Sequence, residues 1–523
     1  MKKAIFSLIC VMFLQALIAQ TQKRTEFWEN NRIKSEGLIK NGKEDSTWTY
    51  YYNTSKIMLE GNYSDGIKIG KWKKWYENGK QWFEGNYDNN GKEKDVWIFF
   101  SEAGNKIQER NYSNGLTITF FENGTKMSEG FLVNNEKSGK WTSWYLNGKK
   151  ESEGSFKNGQ MIGKWLWWHD NGKLSKEIDM ENGKSISWYS NEQKEFEVSI
   201  VNGLKEGKLQ SWKQNGSLKK EYTYHLGRLN GTAYEWFGKD SLSFKGSYLN
   251  DSLNGYCIWW YPNGSKDMEG NNIIGKQDST WTFYYLNKKP RSSGNFKLGL
   301  KTGNWTYWYE TGEKWMYGKY ENDLKENIWT TWYESGQKHH EGSFEKGLET
   351  GKWTTWYEDG KIRDEGFFKE GKMNGLWIGY YPQGVKKYEA EYKMNIRNGK
   401  SLNWFENSSK ESEAYYSEGE LNGKWMKWDM QGRPFEEGAY IKNKKEGEWK
   451  FWDKYGLLIN IQTYKNGVLN GVFIQYDPKG KKALEGTYKM ALKEGKWYTY
   501  DANEQIVRWS QYKNGKIVKQ SQK

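Results

Sequence analysis

The sequence predicts an all-β fold: an elongated solenoid or twisted antiparallel meander of about 21 tandem β-hairpin repeats of 24 residues. Three observations carry this: a fixed period, glycine turns twice per period, and aromatic residues at fixed places between the turns. Residues 341–360, EGSFEKGLETGKWTTWYEDG, are echoed from Arg24 to Lys523. Taking the residue after each Gly-Lys pair as the anchor, anchors fall at Trp281, Trp305, Trp329, Trp353 and Trp377, and onward through Trp425, Trp449 and Trp497. Weaker units run back through Cys257, Ala233, Leu209 and Ser185 to Trp165, Trp141, Thr117, Trp97, Trp72, Trp48 and Arg24. Of the 20 steps, 17 are 24 residues long, so residues 24–523 read as one continuous array.

Each unit contains two strand-like segments. The first is W-x-x-W-Y, as in Trp353 to Tyr357, where the position three after the anchor is aromatic in every unit. A turn such as Asn78-Gly79, Asn123-Gly124 or Asp359-Gly360 follows, a strong hairpin signal because these residues tolerate positive φ. The second segment is x-x-E-G-x-Y, with an aromatic fifteen after the anchor at Tyr63, Tyr320, Phe344, Phe368 and Tyr440, among others. Aromatic and β-branched residues favour a half-buried pleated strand, and two glycine turns in 24 residues leave no room for a stable helix. A connection that begins and ends with glycine, as at Gly347 to Gly351, joins one unit to the next. It shrinks by four residues at Asn114-Gly115 and Asn182-Gly183, which is expected to leave the flanking strands undisturbed. The aromatic three after the anchor is expected to be buried and to carry the stacking between units.

The composition agrees with this order. Only 36% of the 523 residues are hydrophobic, yet 32 Trp, 37 Tyr and 22 Phe separate the chain from disordered sequences, which lack aromatics. Burial must come from ring faces rather than from an aliphatic core. The net charge of +14 is dispersed among nearly as many carboxylates without a run of five like charges, which reads as a solvated lysine-rich surface and not as a nucleic-acid footprint. Residues 1–19 read as a signal peptide: Lys2 and Lys3, the apolar run from Ala4 to Leu14, and Ala19 before Gln20. Cys10 lies inside the apolar run behind Ile9, which argues against lipidation, and no later segment is apolar enough to span a bilayer. The chain is therefore expected to be exported, to the periplasm, the outer surface or the medium. Beyond residue 19 the single cysteine, Cys257, offers no disulfide framework.

Units of the form E-G-x-Y-x-x-G-x-x-x-G-K-W-x-x-W-Y-x-x-G-x resemble the MORN repeat variant of bacterial YwqK-type proteins, and the resemblance spans residues 24–523. It implies a β-hairpin solenoid that presents a long surface to a protein or membrane partner. Some YwqK-type members are regarded as antitoxin or immunity partners of secreted toxins. This chain departs from a minimal antitoxin in its export signal and its many repeats.

Chemistry is sparse. His339-His340 lies in a second segment, where adjacent residues are expected to face opposite ways and so cannot chelate one metal. The recurrent glutamates before the second-segment glycine (Glu60, Glu341 and Glu365 among them) are expected to pair with lysines on adjacent units. No glycine loop opens a helix to cradle phosphate, and near-copies of one unit offer no unique catalytic constellation. No catalytic residue, metal ligand or cofactor is expected. The leading function is a non-catalytic exported scaffold for protein–protein interaction at the cell envelope, with an immunity-like role as one form of it. The alternative is a cell-wall or carbohydrate binder that leaves aromatic rings open to ligand. The candidate interaction surface is the row Trp308, Trp332 and Trp356, in the most regular units. Burial of these rings would move partner contacts to the Lys and Glu positions between them.

Overall fold

A computed structural model describes residues 21–522; residues 1–19, expected from the sequence to be a signal peptide, lie outside them. The described residues contain strands and turns and no helix, so none long and apolar enough to cross a membrane. They divide into two compact units, one reaching Leu242 and including Tyr248–Asp251, the other comprising Ser243–Ser247 and the chain from Ser252 onward. Within each, successive strands pair antiparallel with their neighbours in a meander.

A repeat in the second unit shows the pattern. The anchor strand Leu324–Trp332 pairs with the return strand Lys338–Glu345, which pairs in turn with the next anchor strand, Leu348–Trp356. The anchor strand begins five residues before the anchor and ends at the aromatic three after it, so it is longer than the five-residue motif suggested. The supposed glycine-bounded connection is a two-residue turn followed by strand. Lys346 (φ 49°) and Gly347 (φ 81°) both adopt the left-handed conformation of a type I′ hairpin turn, whose twist matches that of the flanking strands. Gly351 (φ 65°) is instead a bulge within the strand: Gly342 faces Trp353 and Ser343 faces Thr350, leaving Gly351 and Lys352 without partners opposite.

The short steps also differ from expectation. Removing four residues trims the strands themselves, to Lys106–Asn111 and Leu116–Phe120 at one site and Leu174–Asp179 and Gly183–Trp188 at the other. The ladder survives because the trimmed residues lie at the turn ends, while Arg110 still faces Thr117 and Ile178 faces Ser185.

The core is a column of anchor rings. Trp305 is 1% exposed, Trp329 2% and Trp449 0%. Each indole lies flat on the glycine of the preceding return strand; a Cβ on Gly318 would stand 2.1 Å from Trp329 Cδ2, and one on Gly294 2.3 Å from Trp305 Cδ2. The E-G glycine is thus a seat for the next unit's tryptophan. The indole N–H of Trp329 donates to the carbonyl of Lys319 (3.1 Å), and that of Trp305 to Asn295 (3.1 Å), so the polar edge of the ring is satisfied. Between anchors stand the rings fifteen residues on, edge to face: Trp305 to Tyr320 (6.1 Å), Tyr320 to Trp329 (4.8 Å), Trp329 to Phe344 (6.3 Å) and Phe344 to Trp353 (5.2 Å). Burying roughly 200 Å² per ring stabilises by about 5 kcal/mol before ordering entropy is counted.

Seat and anchor are complementary in size where the repeat degenerates. Large return-strand residues face small anchors: Arg110 faces Thr117, Ile178 faces Ser185 and Tyr222 faces Ala233. Ala390 faces Ser401, a small residue against a small anchor. Trp425 meets Ala414 instead of glycine; it is only half-buried, and its N–H turns to Glu436 Oε1 (2.9 Å).

Candidate interaction surface

The two faces of the sheet differ. One carries the anchor column; the other carries the aromatic three after each anchor, including Trp308, Trp332 and Trp356. These three rings are half-buried and make no ring contact with one another among the described residues. The expectation that they form the buried stack is corrected: the anchors do, because only the anchor side chain lands on a residue without a Cβ. Their backbones nevertheless join the units. Tyr285, Tyr309 and Tyr333, each one residue beyond the preceding unit's ring, donate their hydroxyls to the carbonyls of Trp308, Trp332 and Trp356, each at 2.8 Å.

This face is electrically balanced. Lys338 Nζ lies 5.5 Å from the Trp356 ring centre and 2.8 Å from Glu341, which also accepts a hydrogen bond from Thr330 (2.8 Å). Burial would raise the Glu341 pKa, but the hydrogen bonds from Lys338 and Thr330 and the nearby charge hold it below the ordinary carboxylate value. Lys352 pairs with Glu365 (2.8 Å), Lys140 with Glu153 (3.0 Å) and Lys71 with Glu84 (3.1 Å). In all of these pairs the partners belong to one hairpin, so the expectation of pairing across adjacent units is corrected. The cause is the antiparallel register, which sets the residue before the anchor diagonally across from the glutamate.

Sequence reading missed the cations of the opposite face. Lys301 Nζ stands 4.5 Å from the Trp305 ring centre and 5.1 Å from that of Tyr320. Lys325 stands 4.5 Å from Trp329 and 4.8 Å from Phe344. Burial pushes both ammonium groups below the usual lysine value. Neither lies within ion-pair distance of a carboxylate among the described residues. The signal was present as lysine four before the anchor (Lys68, Lys301, Lys325, Lys445 and Lys493), an even spacing that places both on one face, but only the two-residue bulge between them brings the ammonium onto the ring.

A second bulge changes the histidine pair. Trp332 faces Lys338 and Thr331 faces His340, leaving His339 without a partner, and the two imidazole centres come within 4.8 Å. The expectation that the rings point to opposite faces is therefore corrected. His340 packs on Trp353 (6.2 Å), and burial, with His339, Lys325 and Arg363 nearby, lowers its pKa to about 4. No group of three or more His, Cys, Asp or Glu residues able to hold a metal ion occurs among the described residues. Cys257 occupies an anchor position and is fully buried; its thiol is pushed up to about 12 by burial, and Asn272 donates to Sγ at 2.9 Å.

No curated protein matches the chain. Solved structures that match include the Photorhabdus luminescens Tc holotoxin pore with the TccC3-D651A mutation, 10% identical, with 96% of this chain and 30% of that chain covered and a TM-score of 0.14. A TcdB2-TccC3-TEV structure matches at 10% identity, with 98% and 32% covered and a TM-score of 0.13. The chain thus spans about a third of the length of these chains, and at such TM-scores the likeness carries no argument. A family model described as the MORN repeat variant matches residues 68–89, 137–158, 161–182, 349–370, 373–394 and 469–490. Those segments begin in the anchor strand and end at or just past the return strand, in phase with the units described above; the chain carries MORN repeat variants.

Proposed function

We propose that this protein is a non-catalytic, exported repeat scaffold that binds a protein partner at the cell envelope, in an immunity-like role. The observation that carries the reading is the sameness of the units. Seated tryptophan, tyrosine-to-carbonyl link and Glu–Lys pair recur from hairpin to hairpin, so the surface on offer is distributed and modular. Repeated surfaces of this kind gain affinity through multivalency rather than through one pocket. Export rests on the N-terminal charged and apolar segment followed by Ala19.

The test is affinity capture from envelope extracts with residues 20–523, run beside sedimentation with purified peptidoglycan. Capture of a discrete protein, with no co-sedimentation, is expected. Co-sedimentation without protein capture would favour the cell-wall reading. N-terminal sequencing of the protein recovered outside the cytoplasm is expected to start at Gln20.

A further inference from the structure

Charge is divided unequally between the two faces around Lys301 and Lys325, whereas the equivalent Lys445 pairs with Glu436 (3.9 Å). On the side of Trp308, Trp332 and Trp356, lysines are matched by the E-G glutamates, as in Lys338–Glu341 and Lys352–Glu365. On the anchor side, Lys301 and Lys325 lie along aromatic rings, with Asp323 and Glu349 exerting only longer-range attraction. Lys301 also donates to the Tyr307 hydroxyl (3.1 Å), and the Trp315 ring stands over Tyr307 (6.1 Å) while remaining 44% exposed. Two ammonium groups without carboxylates thus lie one repeat apart on the same face, Lys301 beside Tyr307 and the edge-on Trp315 ring, and Lys325 on Trp329 and Phe344.

The spacing narrows the ligand. Lys301 and Lys325 occupy equivalent places on anchor strands with one return strand, Lys314–Glu321, between them. Strands lie about 4.8 Å apart, so the lysines repeat at about 10 Å. An extended β-strand covers that distance in three residues but turns the first and fourth side chains to opposite sides. A polyproline II segment rises about 3.1 Å per residue with three residues per turn, bringing every third side chain to one side at about 9 Å. Its stiffness limits the ordering cost of binding, and aromatic platforms suit its ridges. The surface supplies cationic donors and ring faces. The Tyr307 hydroxyl is engaged with Tyr320 (3.3 Å), so few polar acceptors remain for sugar hydroxyls.

We propose that the anchor-side face around Lys301, Lys325, Tyr307 and Trp315 binds an acidic polypeptide segment in polyproline II conformation, with a carboxylate at every third residue. This rests on the protein-scaffold reading and names the partner's chemistry.

The test uses the full chain and a fluorescent peptide of four Glu-Pro-Tyr repeats. A control peptide has the same composition with its glutamates grouped together. Lys301→Met and Lys325→Met together keep the aliphatic stems on the rings and remove the ammonium groups; Lys338→Met and Lys352→Met together are the opposite-face control. Far-ultraviolet circular dichroism and thermal melts check that both variants stay folded. Salt-sensitive binding of the repeat peptide is expected, at least tenfold weaker in the anchor-side variant, unchanged in the control variant, and weaker for the grouped peptide. Absence of peptide binding, equal binding of the grouped peptide or equal loss in both variants would overturn the proposal. So would binding only of heparin or anionic vesicles. A captured envelope protein that binds the anchor-side variant undiminished would leave the scaffold reading intact and refute this site.

Discussion

Replacing Gly318 with alanine tests the seat directly. Gly318 is absent from the positive-φ positions, so its backbone accepts alanine without strain, and the unfolded chain loses entropy in a direction that favours folding by about 0.4–1 kcal/mol. Against this, the new Cβ would sit 2.1 Å from Trp329 Cδ2 and 2.3 Å from Cε2, inside the ring's own volume. Trp329 is 2% exposed and wedged between Tyr320 and Phe344, so it cannot tilt without losing contacts on both sides. Its hydrogen bond to Lys319 would break as well, at about 1 kcal/mol. Overpacking of this kind costs about 1–3 kcal/mol, so with the lost hydrogen bond added and the entropic gain subtracted the net local destabilisation should be about 1–3.5 kcal/mol. Hydrogen–deuterium exchange of the full chain should show faster exchange across 316–332 and the strands beside it, with distant repeats unaffected, as expected when stability sums over neighbours. Exchange unchanged from the parent would refute the idea that this glycine exists to seat the ring.

The converse substitution, Ala414→Gly, should let Trp425 drop onto the return strand; its fluorescence should shift to the blue and exchange near it should slow, whereas a red shift would show that something other than Ala414 displaces the ring. Trp329→Ala should cost about 3–5 kcal/mol locally and the half-buried Trp332→Ala clearly less, so equal protection losses would show that the face assignment is wrong. Acid should loosen the hairpins around His340. Its folded pKa, about 4, lies below the usual histidine value, so its contribution is complete above about pH 6.5 and declines as pH falls toward 4. With the ring only half-buried, the loss should be about 1–2 kcal/mol after allowance for screening. The difference between the parent and His340→Phe in exchange at pH 7 and pH 4.5 isolates this effect from the carboxylates, and a pH-independent difference would count against it.

Much of the fold was legible in residue order. The turn glycines, the period and the rings fifteen after each anchor are local signals, and local hydrogen bonding places them where the spacing indicates. The anchor strand's true length was hidden because Gly351 looks like turn punctuation, whereas at φ 65° it also suits a bulge. The candidate site was legible only in part. Trp308, Trp332 and Trp356 do recur on one face, but which aromatic row becomes the core depends on what lies beneath each ring in the neighbouring strand.

The sequence by itself determined the period, the hairpin and the alternation of faces, because these depend on backbone preferences within a few residues. It also contained the size pairing of Gly318 with Trp329 and of Tyr222 with Ala233, in a form that becomes readable only once the register is known. The tertiary structure decided the rest. Of the two bulges in each hairpin, the one-residue bulge shifts which residues share a face and brings His339 beside His340, while the two-residue bulge draws Lys325, already on the anchor's face, over Trp329. A one-residue bulge changes the strict two-residue alternation at one point, and every side chain beyond it follows, so the burial of a ring is set by pairing between strands rather than by its position in the repeat.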